Sequence, residues 1–558
     1  MGLAEYLQSC EEKYSAELHL LGGPFYGPGY HSRVPDGTYA HDILNSLNYA
    51  LALLGSGEAA HVARAADILR KVLSLQDVEP LSPTYGLWPW LAEEPLAAMA
   101  PPDWNWADFG GARLAQVLKD HAARLPADLV DPIKAGLGHA AWSIFRRNVG
   151  PAHTNVAIAG AGVAVAAGEL LKRSMLLDYG RRRLHALVRH TKHHGGFNEY
   201  NSPTYTMVAL HECERVLTLA HDPQVRSDAE WLRQAAWQTI AEHFHPATGQ
   251  WAGPHSRAYG LRLAPATAEY LAEQTGADIP AASRSAGKGA PPQFPAIACP
   301  AALVERFRML PQKEVEVRNC FIRRGSDEAS TWGTTWMTED ACLGSVSQDN
   351  LWSQRHVLLG YWRTADEPAV ALRLRFLKDG KDFASAMVRT VQAGPRALSV
   401  FGLATDLGDF HHTLDRPADG VFVAQDFRAR YELAGQGAEA MPLGHGRFAL
   451  AAGGRRAIIH TMPGRFGPYE VKWACGKEGG AAFVDGICYS EARLPLDLAR
   501  LGKVILGAGL EILGASDAPT EARPSIEEHT EDAVCVTWAL PDGGLMVEAP
   551  TRAQPYPK

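Results

Sequence analysis

The feature that most limits what this 558-residue chain can fold into is a change of hydrophobic period past its middle. From Leu3 to about Gly276, apolar residues recur at spacings of three and four between breakers, as in amphipathic helices. After about Val304 they recur at two, in short runs between Gly, Asp and Pro turns, as in antiparallel strands. Between the two lie Ile279-Pro280, Ser283, Ser285, Gly287, Gly289, Pro291-Pro292 and Pro295, which is linker composition. Helices followed by strands, rather than alternating with them, define an α+β multidomain chain. The expected division is a helical domain over 1–276, a linker over 277–302 and an antiparallel β-sandwich over 303–558.

The spacing predicts helices over Leu3–Leu21, Ala40–Leu54, Ala59–Leu75, Trp106–Leu125, Ala127–Arg147, Asn155–Lys172, Met175–His190, Pro203–Ala220, Gln224–His243 and Pro265–Thr275. Short turns between them imply antiparallel pairs, and with no solenoid repeat evident a closed ring of pairs is favoured over an open array. The loops would then gather at one end of the ring. Strands are expected over Glu314–Arg323, Trp332–Met337, Ala369–Leu377, Leu398–Leu403, Val421–Ala424, Arg447–Ala451, Ala457–His460 and Cys535–Ala539.

Composition removes several functions. With 54 Lys+Arg against 62 Asp+Glu, net charge −8, and no long run of like charge, neither a nucleic-acid nor an anionic-membrane partner is expected. Met1 to Leu21 carries Glu5, Glu11, Glu12 and Glu17, unlike a secretion signal, and the Val156–Gly168 stretch is too short to span a bilayer. Eight cysteines without a C-x-x-C pair or a zinc-finger spacing read as reduced thiols in the cytoplasm. Neither a phosphate loop nor a strand–Gly-x-Gly-x-x-Gly–helix unit is present, so no nucleotide cofactor is expected. Adjacent His411 and His412 would point to opposite faces of a strand, and no metal site is expected.

Chemistry-bearing residues concentrate in the predicted loops. Gly195 to Tyr205 holds Glu199, Asn201 and two tyrosines, with Ser202 suited to cap the helix that starts at Pro203 and Tyr205 expected in its first turn. Ordinary turn chemistry accounts for part of this segment. Pro151-Ala152-His153-Thr154-Asn155 opens the Ala/Gly-rich helix, where His153 and Asn155 can receive a carboxylate or where Thr154 or Asn155 is simply the cap. Gly249 to Tyr259 brings together His255, Arg257 and Tyr259, able to pair with a carboxylate and exchange a proton, unless Arg257 only stacks on Trp251. Tyr85, Trp88, Asp103, Trp104, Asn105, Trp106 and Asp108 interleave aromatic faces with polar groups, as a sugar cleft or an interdomain packing surface would. Ser345 to His356 supplies Gln354, Arg355 and His356 from the β-region, as a site contribution or a solvated loop.

In order and spacing the helical region resembles the toroid of the heparinase II/III-like polysaccharide lyases, a superfamily that also includes alginate and oligoalginate lyases. The likeness rests on Asn155 opening one helix, a Gly-Phe-x-Glu-x-x-Ser-Pro-x-Tyr loop ending at Tyr205 fifty residues later, and the linker and sandwich that follow. It implies an incomplete (α/α) toroid of helix pairs with a C-terminal antiparallel β-sandwich. It implies Asn155 neutralising a uronate carboxylate, Tyr205 as general base and acid, and His356 from the sandwich completing the site. Two departures stand out: Val156 follows Asn155 where the family often has His, and the family's His-x-His-x-Asp strand motif is missing. His153 or His255 would then substitute.

The expected function is β-elimination of a uronic-acid-containing glycan or oligosaccharide, without a cofactor. The C5 proton of a uronate is acidic enough to remove only when its carboxylate is neutralised, which suits amide, imidazole and guanidinium donors. Cytoplasmic residence would favour exo action on short oligosaccharides, and a homodimer is left open. The rival enzyme reading is a glycoside hydrolase with Asp103, Asp108 or Glu199 as acid and base. A third is a non-catalytic glycan-binding protein.

Overall fold

In the computed structural model, residues 2–27, 30–280, 296–411, 414–528, 530–541 and 543–556 are described. Most of the expected linker and His412 therefore lie outside the described residues. The chain has the expected fold class, helix pairs of the incomplete-toroid kind followed by an antiparallel β-sandwich. By packing it divides into two units, one of 1–192, 205–236 and 284–298, the other of 193–204, 237–283 and 299–558. Residues 193–204 and 237–276, grouped with the helices in the sequence reading, thus pack with the strands.

The helices are α1 (Leu3–Glu11), α2 (Ile43–Ser56), α3 (Ala59–Ser74), α4 (Asn105–His121), α5 (Ala127–Arg147), α6 (Thr154–Leu170), α7 (Ser174–His194), α8 (Tyr205–Leu219), α9 (Pro223–His243) and α10 (Pro265–Thr275). The first departs from expectation: α1 stops at Glu11, and the chain continues as strands β1 (Tyr14–Ser15) and β2 (Leu20–Pro24), with β2 paired to β1 on one side and to β3 (Tyr39–Asp42) on the other. Leu20 and Leu21 are buried by this pairing, an outcome that helical amphipathicity alone does not encode. Helix α2 likewise begins three residues later than expected, where the carboxylate of Asp42 accepts the Asn45 amide at 2.7 Å and caps it.

Side-chain contacts fix how these helices run. Asn48 of α2 accepts from Arg113 of α4 at 3.0 Å, and Leu54 O, a turn and a half further on, accepts from Arg124 just past α4 at 2.8 Å. A Cβ on Gly160 of α6 would collide with Asp108 of α4, and one on Gly111 of α4 would meet Val163 of α6 at 2.8 Å. Arg215 of α8 donates to Gln116 of α4 at 3.2 Å, and Lys119 to Leu219 O at 3.0 Å. Each pair of contacts advances in the same direction on both helices, so α2, α4, α6 and α8 run parallel and their N-termini share one end. Helices α5 and α7 return antiparallel: Gly111 and Leu114 of α4 face Ala140 and Gly136 of α5, and Val165 and Gly168 of α6 face Gly180 and Leu177 of α7. Helix α6 is buried on nearly every side, which is why its sequence is apolar all round and why Gly160, Gly162 and Gly168 face their neighbours directly.

Among the described residues the second unit is built on two nine-stranded antiparallel sheets, the first counting Lys381–Asp382 paired beside Val370–Lys378 and the second counting Arg465–Phe466 and Tyr469–Glu470 beside Val504–Gly514, in addition to the strands of the orders below. One runs in the order Lys472–Glu478, Ala481–Asp497, Val421–Ala434, Val370–Lys378, Leu358–Trp362, Ala341–Val346, Thr331–Thr338, Glu314–Ile322. The other runs Glu439–Gly444, Arg447–Ala452, Arg455–Thr461, Val504–Gly514, Arg396–Leu403, Ala386–Ala393, Gln348–Asn350. Inward residues of both, among them Trp362, Phe376, Phe401, Phe427, Tyr431 and Leu510, form one core. A smaller sheet, Ser525–Glu528, Ala533–Trp538 and Leu545–Pro550, follows. Segment 250–257 lies on this unit, and a Cβ at Gly344 would overlap the carbonyl of Gly253, so only glycine lets that crossing occur.

Candidate functional site

In the helical unit the strongest sequence candidates, Asn155 and Tyr205, lie at the shared N-terminal end of α2, α4, α6 and α8. Asn155 sits in the first turn of α6 and Tyr205 opens α8. The α4 contacts put both within about one turn, on the order of 5 Å, of the same axial level. Asn155 is buried and Tyr205 half-buried. His153 precedes α6, is exposed, and makes no capping hydrogen bond to the helix, so the first-turn N–H groups keep their affinity for an anion. At the heads of three neighbouring helices a polar atom is buried with no hydrogen-bond partner: Trp106 Nε1 in α4, Thr154 Oγ1 in α6 and Thr206 Oγ1 in α8. Buried orphans of this kind are costly unless water or a ligand meets them.

Two arginines stand at the flank of this end. Arg147, at the end of α5, donates to Asn105 Oδ1 at 2.8 Å and lies 3.7 Å from Asp108. Arg183 donates to Tyr179 Oη at 2.7 Å and to Val149 O at 2.9 Å, which holds the loop leading into α6. Burial pushes the Asp108 carboxyl up to about 7, against the pull of Arg147 and Arg183. Sequence reasoning did not single out Arg147 or Arg183, because a run such as Arg181-Arg182-Arg183 reads as a solvated helix face.

The aromatic segment divides by burial. Trp88 is fully buried, with its indole donating to Val72 O at 3.0 Å, and presents no face to solvent. Asp103 is buried too, accepting from the indole of Trp90 at 3.2 Å and from the backbone N–H of Asn105 at 2.9 Å, so its carboxylate is engaged in the turn that leads into α4. Tyr85, Trp104, Asn105 and Trp106 are half-buried. The Tyr85 hydroxyl lies 2.7 Å from His139 Nδ1, and Arg146 lies over its ring.

The remaining sequence-derived candidates belong to the β-rich unit. Asn201, in a left-handed conformation (φ 43°), donates to Ala252 O and Pro254 O at 2.9 and 2.8 Å and accepts from the indole of Trp251 at 2.5 Å. Its amide is fully engaged inside the protein. Arg257 donates through Nε and Nη2 to Gln354 Oε1 at 3.1 and 2.9 Å, lies 3.6 Å from Glu199, and stacks over Trp352 rather than Trp251. Burial pushes Glu199 up to about 7 although Arg257 opposes it, and its Oε2 has no partner. Arg355 is bound to Asp349 at 2.5 Å and Asp409 at 2.9 Å, and Asp349 also accepts from the hydroxyls of Tyr200 and Tyr556, each at 2.6 Å. Tyr259 is exposed.

His255 and His356 lie side by side, ring centroids 6.1 Å apart, both buried. The ring nitrogens of His255 face Asn201 O at 2.6 Å and Trp251 O at 3.1 Å. A neutral ring donates to one of them, and the shorter contact favours the proton on Nδ1. Burial pushes His255 down to about 4 and His356 to about 3, in the latter case with His255 and two arginines adding to the effect. Both imidazoles are therefore neutral at pH 7.

A family model described as a domain of unknown function (DUF8769) matches residues 26–272. No curated protein matches the sequence. Among solved structures, the chain is similar to a heparinase III at 10% identity, covering 91% of this chain and 82% of that one with a TM-score of 0.43. It is similar to a chondroitin AC lyase of Streptomyces coelicolor A3 in complex with chondroitin sulphate, at 11% identity, 97% and 88% coverage and a TM-score of 0.44. A heparan sulfate lyase mutant from Pedobacter heparinus is similar at 9% identity, 99% and 89% coverage and a TM-score of 0.42. At these values the likeness does not extend to individual side chains.

Proposed function

We propose that the protein is a polysaccharide lyase that cleaves a uronic-acid-containing glycan by β-elimination. The observation that carries this reading is the side-by-side placement of the α6 and α8 heads, which bears Asn155 and Tyr205 at one level beside buried, unpartnered Thr154 and Thr206 hydroxyls. The α6 first turn and the Asn155 amide receive the uronate carboxylate and take up the negative charge that grows on it during reaction. Tyr205, as phenolate, removes the C5 proton. The C5–H electron pair becomes the C4–C5 double bond, the C4–O4 bond breaks, and the phenol returns its proton to O4. Arg147 and Arg183, at the flank of this end, favour an acidic substrate. No water is consumed.

A panel of uronate-bearing glycans, incubated with the protein and read in the ultraviolet for unsaturated uronate, tests the reading. Absorbance should rise with wild-type protein and stay flat with Asn155→Ala and Tyr205→Phe. Reducing ends that appear without the chromophore would mark a hydrolase instead, and binding without turnover a non-catalytic protein.

A further inference from the structure

At the head of α2 a carboxylate and an imidazole form a closed pair outside the residues discussed so far. His41 Nδ1 lies 2.5 Å from Glu93 Oε1, and the backbone N–H of His41 donates to Glu93 Oε2 at 2.9 Å. A carboxylate gripping both positions fixes the ring's orientation and places the proton on Nδ1. Nε2 makes no hydrogen bond among the described residues, and the side chain keeps 10% of its surface exposed. Two residues earlier on the same face of β3, Tyr39 stands 60% exposed with its ring edge-on to the imidazole at 5.6 Å. Opposite His41 on β2 is Gly22, where a Cβ would lie 2.6 Å from the Tyr39 ring and 2.9 Å from His41 Nε2. The missing side chain is what lets both rings lie close over β2 at this point. A pin between β3 and the 85–104 loop needs only the carboxylate on the amide. It needs neither an oriented imidazole nor an exposed phenol.

Helix α2 belongs to the same parallel layer as α4, α6 and α8, so this pair stands at the same end as Asn155 and Tyr205. Two helix spacings separate α2 from α6, roughly 16–20 Å at ordinary interaxial distances. We propose that Tyr39, His41 and Glu93 form a distal subsite for an acidic glycan, recognising a sugar further along the chain than the one held at Asn155. The inference rests on the lyase reading above. The Tyr39 ring covers the apolar face of the sugar, and Nε2 of His41, on a ring held in place by Glu93, hydrogen-bonds a polar group on the sugar's edge.

The test compares kcat/KM for a long and a short oligosaccharide of whichever uronate glycan the wild-type protein cleaves, measured in wild type, His41→Gln and Tyr39→Ala. The long-to-short ratio should fall about fivefold in each variant, the loss expected for one stacking or hydrogen-bonding contact. A variant that merely loosens the fold lowers both rates together and leaves the ratio unmoved. An unmoved ratio in either variant, with the wild type active, overturns the subsite and leaves the lyase reading intact. Failure of the wild type to make unsaturated product from any glycan overturns the lyase reading and the subsite with it.

Discussion

A Cβ placed on Gly162 of α6 would stand 2.7 Å from Cγ2 of Val216 on α8, so the two helices touch where only a glycine fits. That contact, with the ones each helix makes to α4, sets Asn155 level with Tyr205. Gly162→Val should force the pair apart and cost about 1–3 kcal/mol, the usual penalty of overpacking. Thermal unfolding measures this, and activity should fall by more than the loss of folded protein accounts for. Gly138→Ala is the control: its Cβ would meet only Leu171, at an ordinary 3.5 Å, and stability should hold or rise.

Asn201→Ala should be among the most damaging single changes in the β-rich unit. It removes three buried hydrogen bonds that hold segment 251–254, leaves the Trp251 indole unpartnered, and puts alanine at a φ of 43°. A loss of about 3 kcal/mol or more is expected from denaturant unfolding. Asn201→Gly, which relieves the backbone but not the bonds, should recover only the conformational part.

His255 and His356 make the fold sensitive to acid. Both are held below their ordinary value of 6.5 by burial, so the unfolded chain binds protons that the folded one refuses. Stability should be full above pH 6.5 and decline as pH falls from there toward 4. Chemical unfolding across that range should show a shallower decline in His356→Gln than in wild type.

Asp108 works in the opposite sense. Its carboxyl is raised from 3.8 to about 7, so the fold holds a proton that the unfolded chain has released, and the stability this contributes is lost as pH rises through 7. Asp108→Asn should flatten that decline and, at pH 8, raise the unfolding temperature by a few degrees. An unchanged pH profile would show that Arg147 and Arg183 already keep the carboxylate ionised.

The change from helix to strand was legible because both periods persist over many elements, and Asn155 and Tyr205 stood out because each opens a helix after a loop dense in polar groups. The α1–β1 break was not legible, since Leu20 and Leu21 satisfy a helical pattern as well as a strand in which Leu21 lies opposite Tyr14 on one side and Asp42 on the other. Nor did composition separate residues that face inward from those that face out: Trp88 and Asn201 have the chemistry of glycan ligands and are sealed by hydrogen bonds to Val72, Ala252 and Pro254. Partners far apart in sequence, such as His41 with Glu93 or Arg147 with Asp108, became visible only once the helix layers had fixed who faces whom.

The most direct measurement is single-turnover cleavage of a uronate oligosaccharide by wild-type protein and by Tyr205→Phe, with binding of the same sugar followed by calorimetry. Phenylalanine keeps the ring and deletes the hydroxyl to which the proposed mechanism assigns the C5 proton, so turnover should drop at least a thousandfold while affinity stays within a few-fold. Cleavage by Tyr205→Phe at a rate near that of wild type would contradict the account.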